Sequence, residues 1–488
     1  MGFAELIPWA TESMKKLEKY FLVPKKLILL RAPAGMGKTS VAVAYMIYNA
    51  LLGKRSALFL RTRKEIEHAL RIAKRIVERI KQDLLILPTP SKKELCVMHA
   101  SGDVPIRFLC PAIDCDRLKR RNTKDIEKML RGTVLELQEE YIHVLSSGGR
   151  CPYIIIKELL QKADIVFGVH EYFSDDELFS LLGRLDIIIL DEAHNFILMH
   201  REFCEIDLRM GQELVDEYYL KGGKNIGKLV VALWRDGKYK ESKAVSSYYQ
   251  YRQTRGAEIK MNDSIIKVQA PIEIIKNRID DIKKMIIMSS TLYPSKFFEI
   301  LFAGNLDHEM VVIPGLMKSP NRTVRVVDSD ISMAYKERTK FTLQKYAELI
   351  LKIAEKIDGN VIVFAPNYDI ATALSRIIKA PLVRDKIEQG KIVIAVFRSR
   401  ISEGVDLPHS FRAVIIAGLP YPKITKKEIK ILGVYSREYG IDMDILERAY
   451  IESSMISALV QAMGRVGRRG KKGFVFIIDR RAKKLFGG

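Results

Sequence analysis

The sequence predicts an α/β protein with two domains, each built around a parallel β-sheet that is covered by helices. Short apolar runs alternate with long helical stretches along the chain, which is typical of strand–helix units. The runs are β-branched or leucine-rich and do not alternate, as expected for strands buried on both faces. They fall into two sets, separated by a junction that Pro314, Gly315 and Pro320 punctuate.

Each predicted element follows from one of these runs. Strands of the first domain are predicted at Leu27–Leu30, Ala57–Leu60, Asp164–Phe167, Asp186–Leu190 and Met285–Met288. Strands of the second domain are predicted at Val324–Val327, Asn360–Phe364, Lys391–Val396, Ala413–Ala417 and Phe474–Ile478. The predicted divisions are 1–95, 152–200 and 276–315 for the first domain, 96–151 for an insertion with cysteines, 201–275 for a mostly helical insertion, and 316–488 for the second domain.

The net charge is the unusual part of the composition. The 488 residues include 81 Lys and Arg against 59 Asp and Glu, a formal net charge of +22. This excess favours a polyanionic partner, because each neutralised phosphate releases condensed counterions, although a generally basic proteome would give the same excess. No apolar run approaches the roughly 18 residues of a membrane span, and no secretory signal is apparent. We therefore expect a cytoplasmic, nucleoid-associated protein without a membrane partner.

A phosphate-binding loop is predicted at Ala32–Thr39, between a strand and helix-compatible residues. Its glycines let backbone amides curl around phosphate oxygens, and the helix N-terminus adds a favourable dipole. Lys38 is expected to meet the β and γ phosphates, and Thr39 to ligate Mg²⁺. The nucleotide-binding set predicted here is Gly35, Met36, Gly37, Lys38, Thr39 and Ser40.

Two adjacent carboxylates, Asp191 and Glu192, follow directly on the apolar run Ile187–Leu190. A strand that ends in this way places them at the carboxyl edge of the sheet, beside the phosphate-binding loop. Asp191 is expected to hold Mg²⁺, and Glu192 to orient and deprotonate the attacking water. A solvated acidic turn is the alternative. The continuation Ala193-His194 makes the sequence more specific for a nucleotide site than two adjacent acids alone would be.

Basic residues near the C-terminus are predicted to complete the site from the second domain. Arg465 and Arg468 are three residues apart, so they share one helix face and can both reach a transferring phosphoryl group. A DNA-facing patch with Arg469, Lys471 and Lys472 is the alternative. The predicted catalytic set is Lys38, Glu192, Gln461, Arg465 and Arg468.

Other loops after predicted strands carry hydroxyls and charges. Arg61-Thr62-Arg63 suits phosphate contacts, and Ser289–Leu292 and Ser402–Asp406 follow further strands. Each of these segments alone is weak evidence for a functional contact, because hydroxyls after a strand are commonly helix caps. In the helical insertion, Tyr248, Tyr249 and Tyr251 interleave with arginines; inward packing of these rings is favoured over base stacking.

Cysteines Cys96, Cys110, Cys115 and Cys151 lie between the two nucleotide motifs. Such clustering fits metal ligation in a reducing compartment better than disulfides. Four thiolates hold either a [4Fe–4S] cluster or a tetrahedral zinc, and their spacing alone does not decide between the two. The residues alone leave both groups open, with His99 as a less favoured substitute ligand. Cys204 stands apart and is expected to be a small buried residue.

Taken together, these motifs resemble those of superfamily 2 helicases, specifically the XPD/DinG group of iron–sulfur helicases. The resemblance covers most of the chain and is carried by Gly35–Thr39, Asp191–His194, Ser289–Leu292, Ser402–Asp406 and Gln461–Arg468. Cys151-Pro152-Tyr153 is similar to the last cluster ligand of the group. The resemblance implies two RecA-like domains, a 4Fe-4S insertion and a shortened arch in the first, and an ATP site that also includes His194 and Asp406.

For this group the resemblance implies ATP-driven translocation along single-stranded DNA, 5′ to 3′, with duplex unwinding and a link to DNA repair. We expect ATP, Mg²⁺ and a 4Fe-4S cluster as cofactors, forked or bubble DNA as a further partner, and a monomer. The cluster is expected to keep a wedge-like subdomain rigid where the strands part. The alternatives are a nucleic-acid-stimulated ATPase or remodelling protein without processive unwinding, RNA-dependent or DNA-dependent, and a non-catalytic DNA-binding scaffold.

Overall fold

Two parallel sheets and a small antiparallel sheet organise the chain. The computed structural model describes all residues except 1, 34–35, 90–94, 96–114, 120–121, 136–138, 194–195, 197, 199, 291–295, 303–305, 314–320, 385–389, 400, 402–406, 409, 468–471 and 484–488. No helix in this described part of the chain is long and apolar enough to cross a membrane. The predicted α/β class with two parallel-sheet domains is confirmed.

The first domain is a seven-stranded parallel sheet with helices on both faces. Its strands lie in the order β10-β1-β9-β5-β2-β4-β3. They are β1 (Leu27–Arg31), β2 (Ser56–Leu60), β3 (Ile86–Pro88), β4 (Ile165–Val169), β5 (Ile187–Leu190), β9 (Lys284–Ser289) and β10 (Glu309–Val312). The helices are α1 (Glu12–Phe21), α2 (Lys38–Leu51), α3 (Arg63–Ile80), α4 (Lys124–Leu130), α5 (Glu139–Ser146), α6 (Pro152–Leu160), α7 (His170–Ser174), α8 (Asp176–Ser180), α12 (Pro271–Ile279) and α13 (Lys296–Phe302).

The central strands of this sheet are where the apolar runs predicted them. Every residue of β1, β2 and β5 is buried, as a strand covered by helices on both faces requires. The edge strands β3 and β10 were not predicted. β3 has three residues and ends in Pro88, which a sheet tolerates at its edge, so its sequence carries little strand signal.

The insertion in the first domain combines helices with an antiparallel sheet. Its elements are β6 (His200–Cys204), α9 (Glu205–Leu220), α10 (Ile226–Arg235), α11 (Tyr239–Gln253), β7 (Ala257–Met261) and β8 (Ser264–Val268), and the sheet order is β6-β8-β7. The predicted insertion was mostly helical, and this sheet was missed. Charged side chains such as Glu258, Lys260 and Lys267 occupy the strands, so only one face reads as apolar.

Two side-chain predictions for the insertion have different outcomes. Tyr248 and Tyr249 pack against the apolar cluster of Val215, Val230, Leu233 and Val245, so inward packing is the correct alternative. Tyr251 also packs inward, against the cluster that contains Phe203. The prediction that Cys204 is buried was wrong. Cys204 ends strand β6, whose outward residues alternate with the buried Phe203, and its side chain is exposed.

The second domain is a five-stranded parallel sheet in the order β11-β15-β14-β12-β13. Its strands are β11 (Arg322–Val326), β12 (Asn360–Ala365), β13 (Ile392–Val396), β14 (Phe411–Ala417) and β15 (Gly473–Ile478). Its helices are α14 (Lys340–Glu355), α15 (Tyr368–Ile378), α16 (Lys426–Tyr439) and α17 (Met443–Met463). All the strands predicted for this domain are present.

Helices α16 and α17 pack against the first domain and its insertion. The ring of Phe297 on α13 lies 6.5 Å from the ring of Tyr435 and 6.2 Å from that of Tyr450, within one shared apolar core. At the surface, Lys427 forms an ion pair with Glu202 of β6 at 2.9 Å. The two domains therefore meet through an apolar centre with a charged border.

Two helix-interior glycines give opposite expectations for stability. A Cβ at Gly211 of α9 would overlap the backbone carbonyl of Ala244 on α11, whereas a Cβ at Gly433 of α16 would meet nothing within 4 Å. We expect Gly211→Ala to lower the free energy of unfolding by about 1–3 kcal/mol, because the helices must separate. We expect Gly433→Ala to be neutral or to stabilise by about 0.5–1 kcal/mol. Chemical denaturation measures the free energy of unfolding of both variants. An unchanged free energy of unfolding in Gly211→Ala would contradict the close packing of α9 against α11.

Candidate functional site

The phosphate-binding loop joins β1 to α2 through a left-handed residue. Gly37 adopts a φ of 84° immediately before Lys38, a backbone conformation that a residue with a Cβ adopts only with strain. The Lys38 side chain is 7% exposed, and its Nζ donates to the carbonyl oxygen of Ala32 at 3.1 Å. The ammonium group is thus held over the loop, where the helix N-terminus favours anions.

Thr39 and Asp191 connect the two nucleotide motifs. The Thr39 hydroxyl donates to Asp191 Oδ2 at 2.6 Å, although the residues are 152 positions apart in sequence. Strand β9 lies between β1 and β5, so this bond spans the carboxyl edge of the sheet above the end of β9. Ser289 and Ser290, at that end, are buried, and the Ser289 carbonyl accepts from Ala32 N–H at 3.2 Å.

Asp191 is a buried carboxylate with close polar partners. It is 2% exposed, and its Oδ1 accepts the backbone N–H of Glu192 at 2.8 Å. Burial and the adjacent Glu192 carboxylate raise the pKa of Asp191 to about 6, against the opposing effects of Lys38 and the Thr39 hydroxyl. Such a carboxylate, beside a threonine hydroxyl, offers the hard oxygen donors that Mg²⁺ prefers.

Glu192 has an unusual backbone conformation for a residue with a side chain. Its φ is 48°, in the left-handed region, which costs on the order of 1–3 kcal/mol at sites where the surrounding structure enforces it. The preceding Asp191 is fixed both by its side chain and by a backbone bond from its N–H to Phe59 O at 3.0 Å. The turn therefore sets the direction in which the Glu192 side chain leaves the sheet.

His170 belongs to this site and was not predicted. It follows β4, is 8% exposed, and its Nε2 lies 2.9 Å from the carbonyl oxygen of Asp191, which requires a proton on that nitrogen. The imidazole therefore holds the Asp191 backbone from the side opposite Thr39. Its position after the predicted strand Asp164–Phe167 was the available signal, because carboxyl ends of parallel strands meet at one edge.

The loop after β2 lies at the same edge. Thr62 is the N-cap of α3, and its hydroxyl accepts the N–H of Glu65 at 3.3 Å. A single oxygen of Glu65, Oε2, accepts the N–H groups of Arg61 at 2.9 Å and Thr62 at 3.1 Å. The capping alternative for this threonine is thus correct, and the exposed Arg61 and Arg63 flank it. Glu65 was missed, although Thr-x-x-Glu is a known capping signature.

The predicted residues of the second domain lie at the end of α17. Gln461 is in its last turn, and the Arg465 N–H donates to Ala462 O at 3.1 Å. The prediction that Arg465 and Arg468 share one helix face was wrong, because the helix ends at Met463 and Gly467 has a left-handed φ of 73°. Arg322 Nε donates to Val466 O at 3.2 Å, which ties this segment to β11. The predicted residues Gly35, His194, Asp406 and Arg468 lie outside the described residues.

Two of the four predicted cluster ligands are described, and their surroundings are linked. Cys115 is partly buried and Cys151 is buried, and both are free thiols. Arg117 Nη1 donates to Arg150 O at 3.4 Å, so the chain just after Cys115 touches the chain just before Cys151. Cys96 and Cys110 lie outside the described residues. Within the described residues, no group of three or more His, Cys, Asp or Glu is arranged to hold a metal.

Asp479, in the second domain, is buried beside a cation, whereas Asp191 is buried beside another carboxylate. It is 0% exposed and accepts from the Arg481 guanidinium at 2.9 and 2.7 Å and from Leu419 N–H at 3.1 Å. Burial raises the pKa of Asp479, but the Arg481 guanidinium and the backbone donors outweigh it and lower the pKa below its ordinary value.

These two aspartates predict opposite effects of the same substitution. A raised pKa means that the free energy of unfolding falls as the pH rises from 3.8 through about 6, so Asp191→Asn should stabilise the nucleotide-free protein at pH 7.5. The gain is on the order of 1–3 kcal/mol and should vanish below about pH 4. The Thr39 hydroxyl can reverse and accept from the new amide. ATP turnover should nevertheless be lost.

Asp479→Asn is the matched control. Because the pKa of Asp479 is lowered, its ionised form stabilises the fold above pH 3.8, and the variant should be less stable than the parent at pH 7.5. Thermal unfolding between pH 4 and 8, without Mg²⁺ or nucleotide, measures both variants. A destabilised Asp191→Asn would contradict the assignment of Asp191 as a strained, functional carboxylate.

Comparisons with known proteins agree with this architecture. Residues 59–212 match the DEAD_2 family model, and residues 375–485 match the helicase C-terminal domain model. The ATP-dependent DNA helicase XPD of Sulfolobus acidocaldarius is 24% identical, over 94% of this chain and 93% of the relative. The ATP-dependent DNA helicase CHL1 of Kluyveromyces lactis is 21% identical, over 82% of this chain and 66% of the relative.

Solved structures agree on the fold. A structure of an XPD helicase superposes with a TM-score of 0.65 at 17% identity, covering 98% of this chain and 97% of that chain. The structure of Xpd4 from S. tokodaii gives a TM-score of 0.57 at 15% identity, covering 97% and 96%. With both family models matched and the nucleotide motifs joined at one sheet edge, the chain belongs to the XPD/DinG-like superfamily 2 helicases.

Proposed function

We propose that this chain is an ATP-dependent DNA helicase that moves along single-stranded DNA and separates duplexes. The observation that carries the proposal is the 2.6 Å bond between the Thr39 hydroxyl and Asp191, which unites the phosphate-binding loop and the carboxylate pair in one site. Relatives that span most of this chain are named ATP-dependent DNA helicases, which supports DNA as the substrate.

The first domain would supply the nucleotide-binding wall. Lys38 Nζ, now bound to the Ala32 carbonyl, would move to the β and γ phosphate oxygens of ATP. The Thr39 and Asp191 oxygens would hold Mg²⁺, which neutralises phosphate charge when bound. Glu192 would orient the attacking water and take its proton. Met36, Gly37 and Ser40 would line the phosphates, and Gly35 and His194 complete the nucleotide-binding set that we propose.

The second domain would supply the opposite wall. Gln461 lies in the last turn of α17, Arg465 lies just beyond the end of that helix, and Arg468 is three residues further along the sequence. Arginines brought to the γ phosphate stabilise charge in the transition state only when the domains close, which links ATP hydrolysis to movement. Asp406, after β13, would approach the nucleotide from the same domain.

The nucleic-acid partner would be single-stranded DNA, entering from a fork or bubble. The formal charge of +22 supports a polyanionic partner, and the exposed Arg61 and Arg63 present cations beside the ATP site. By likeness to the family we propose 5′ to 3′ movement, a monomer, and a role in DNA repair. The insertion at 201–275 would be a shortened arch.

The cysteine-bearing insertion would hold a 4Fe-4S cluster through Cys96, Cys110, Cys115 and Cys151. The thiols of Cys115 and Cys151 are not engaged in disulfides, and the Arg117–Arg150 bond joins the chain beside them, which supports these two cysteines as ligands. A cluster bound to the four cysteine thiolates would cross-link distant parts of the chain. The insertion would then act as a rigid wedge.

The cluster predicts a stoichiometry that depends on these thiols. Anaerobically purified protein should contain about four irons per chain, as a four-cysteine cluster implies. Cys115→Ser and Cys151→Ser should lose the iron and the duplex unwinding while part of the ATPase survives. Cys204→Ser is the matched control, because Cys204 is exposed and outside the set. Metal analysis and absorbance spectra measure the iron content of each variant. One zinc per chain in place of iron would contradict the assignment of a 4Fe-4S cluster.

The helicase proposal predicts an ATPase that responds to DNA. Single-stranded DNA should raise phosphate release, RNA of equal length should raise it less, and DNA binding should weaken steeply with salt. Lys38→Ala and Glu192→Gln should each lower turnover by about 100-fold or more, because they remove charge stabilisation or the base. Duplexes with a 5′ or a 3′ tail test polarity. Robust turnover in either variant would contradict the catalytic assignment.

A further inference from the structure

A third acidic side chain, Glu65, lies between the exposed loop after β2 and the carboxylate pair after β5. It is half-buried, and its Oε2 alone holds the N–H groups of Arg61 and Thr62. In return, the Thr62 hydroxyl accepts the Glu65 N–H. Two backbone amides and one hydroxyl of the loop are therefore fixed by one residue.

The placement of Glu65 brings it toward Asp191 and Glu192. Strands β2 and β5 are neighbours, and the Asp191 N–H continues their pairing by donating to Phe59 O at 3.0 Å. The loop held by Glu65 begins at Arg61, two residues after Phe59. Burial, followed by the nearby Glu192 carboxylate, raises the pKa of Glu65 to about 7, which places the two acids within electrostatic reach.

The same motif elsewhere in the chain shows what is particular to Glu65. Thr425 and Glu428 form an equivalent capping box at the start of α16, with Glu428 Oε2 accepting the Thr425 N–H at 2.7 Å. The pKa of Glu428 is lowered, because the hydrogen bonds from Thr425 and Tyr450 outweigh burial. The capping glutamate of α16 is thus stable as an anion, whereas Glu65 differs from it by its deeper burial and by the carboxylates nearby.

The outer side of the loop carries cations. Arg61, Thr62, Arg63 and Lys64 are exposed, while the next residue, Glu65, turns inward. Exposed arginines with a hydroxyl suit the phosphates of a nucleic-acid strand. One side of the loop is therefore available to a nucleic-acid strand. The other side is held by Glu65, near Glu192, the residue proposed to activate water.

We propose that Glu65 is a positioning residue, which holds the Arg61–Arg63 loop so that a bound nucleic-acid strand sets the placement of Glu192. The inference rests on the proposed function. A nucleic-acid strand that pulls on the exposed side chains moves the backbone amides bound by Glu65. The movement reaches Glu192 through the adjoining end of β2, because the Phe59 carbonyl there holds the N–H of Asp191. Removing the acceptor oxygen breaks this link without touching ATP.

Three variants test the inference in the full chain. Glu65→Ala should lower the stimulation of ATPase by single-stranded oligothymidylate by about fivefold or more, within the range of ordinary coupling between sites. The loss should appear in kcat at saturating DNA, with KM for ATP unchanged, because Glu192 acts on water rather than on ATP binding. Glu65→Gln should restore most of the stimulation, since one amide oxygen can accept both N–H groups.

Glu428→Ala is the matched control, because it removes the same capping interaction from α16. Its stimulation should stay at the parent level, and thermal unfolding reports whether each variant folds. Stimulation unchanged in Glu65→Ala, lost equally in Glu65→Gln, or lost equally in Glu428→Ala would overturn the inference. A parent protein that no nucleic acid stimulates would instead overturn the proposed function, so the two failures are distinguishable.

Discussion

The bond between the Thr39 hydroxyl and Asp191 is the interaction on which the site depends. The two residues reach each other across the end of β9 only because β1, β9 and β5 are consecutive in one parallel sheet. All three strands end at the same edge of the sheet. The phosphate-binding loop, the buried serines and the carboxylates therefore lie side by side, because each group follows one of these adjacent strands. Further along the sheet, β2 and β4 bring Glu65 and His170 to the same edge.

Electrostatics separates the functional carboxylate from the structural one. Asp191 and Asp479 are almost equally buried, yet the first has its pKa raised and the second lowered. Asp479 is matched by Arg481, so its charge is compensated within the fold. Asp191 faces another carboxylate, and its compensation is incomplete until a cation arrives. An uncompensated buried acid costs free energy in the empty protein, and metal binding would recover that free energy.

The sequence was sufficient for ten of the twelve strands in the two parallel sheets and for the nucleotide motifs. Strands buried on both faces read as continuous apolar runs. Asp191 follows one such run directly, and the loop that ends in Lys38 and Thr39 follows another. The insertion sheet was missed because its strands have one charged face, and Cys204 was misjudged because it sits at the exposed position of an edge strand. His170 and Glu65 each had a local signal, a position after a predicted strand and a capping signature. Their assignment to one site also needs the strand order, which the local sequence does not encode.

Helix α17 connects the domain interface to the predicted second wall of the ATP site. Tyr450, near its start, packs against Phe297 of the first domain, and Gln461 lies about three turns further along the same helix. An uninterrupted helix transmits rotation from one end to the other, because its backbone hydrogen bonds keep the turns in register. The proposed closure of the domains would therefore either preserve the Phe297–Tyr450 contact as a pivot or break it. A pivot is favoured by the packing, since the contact lies within an apolar core that also contains Tyr435 of α16.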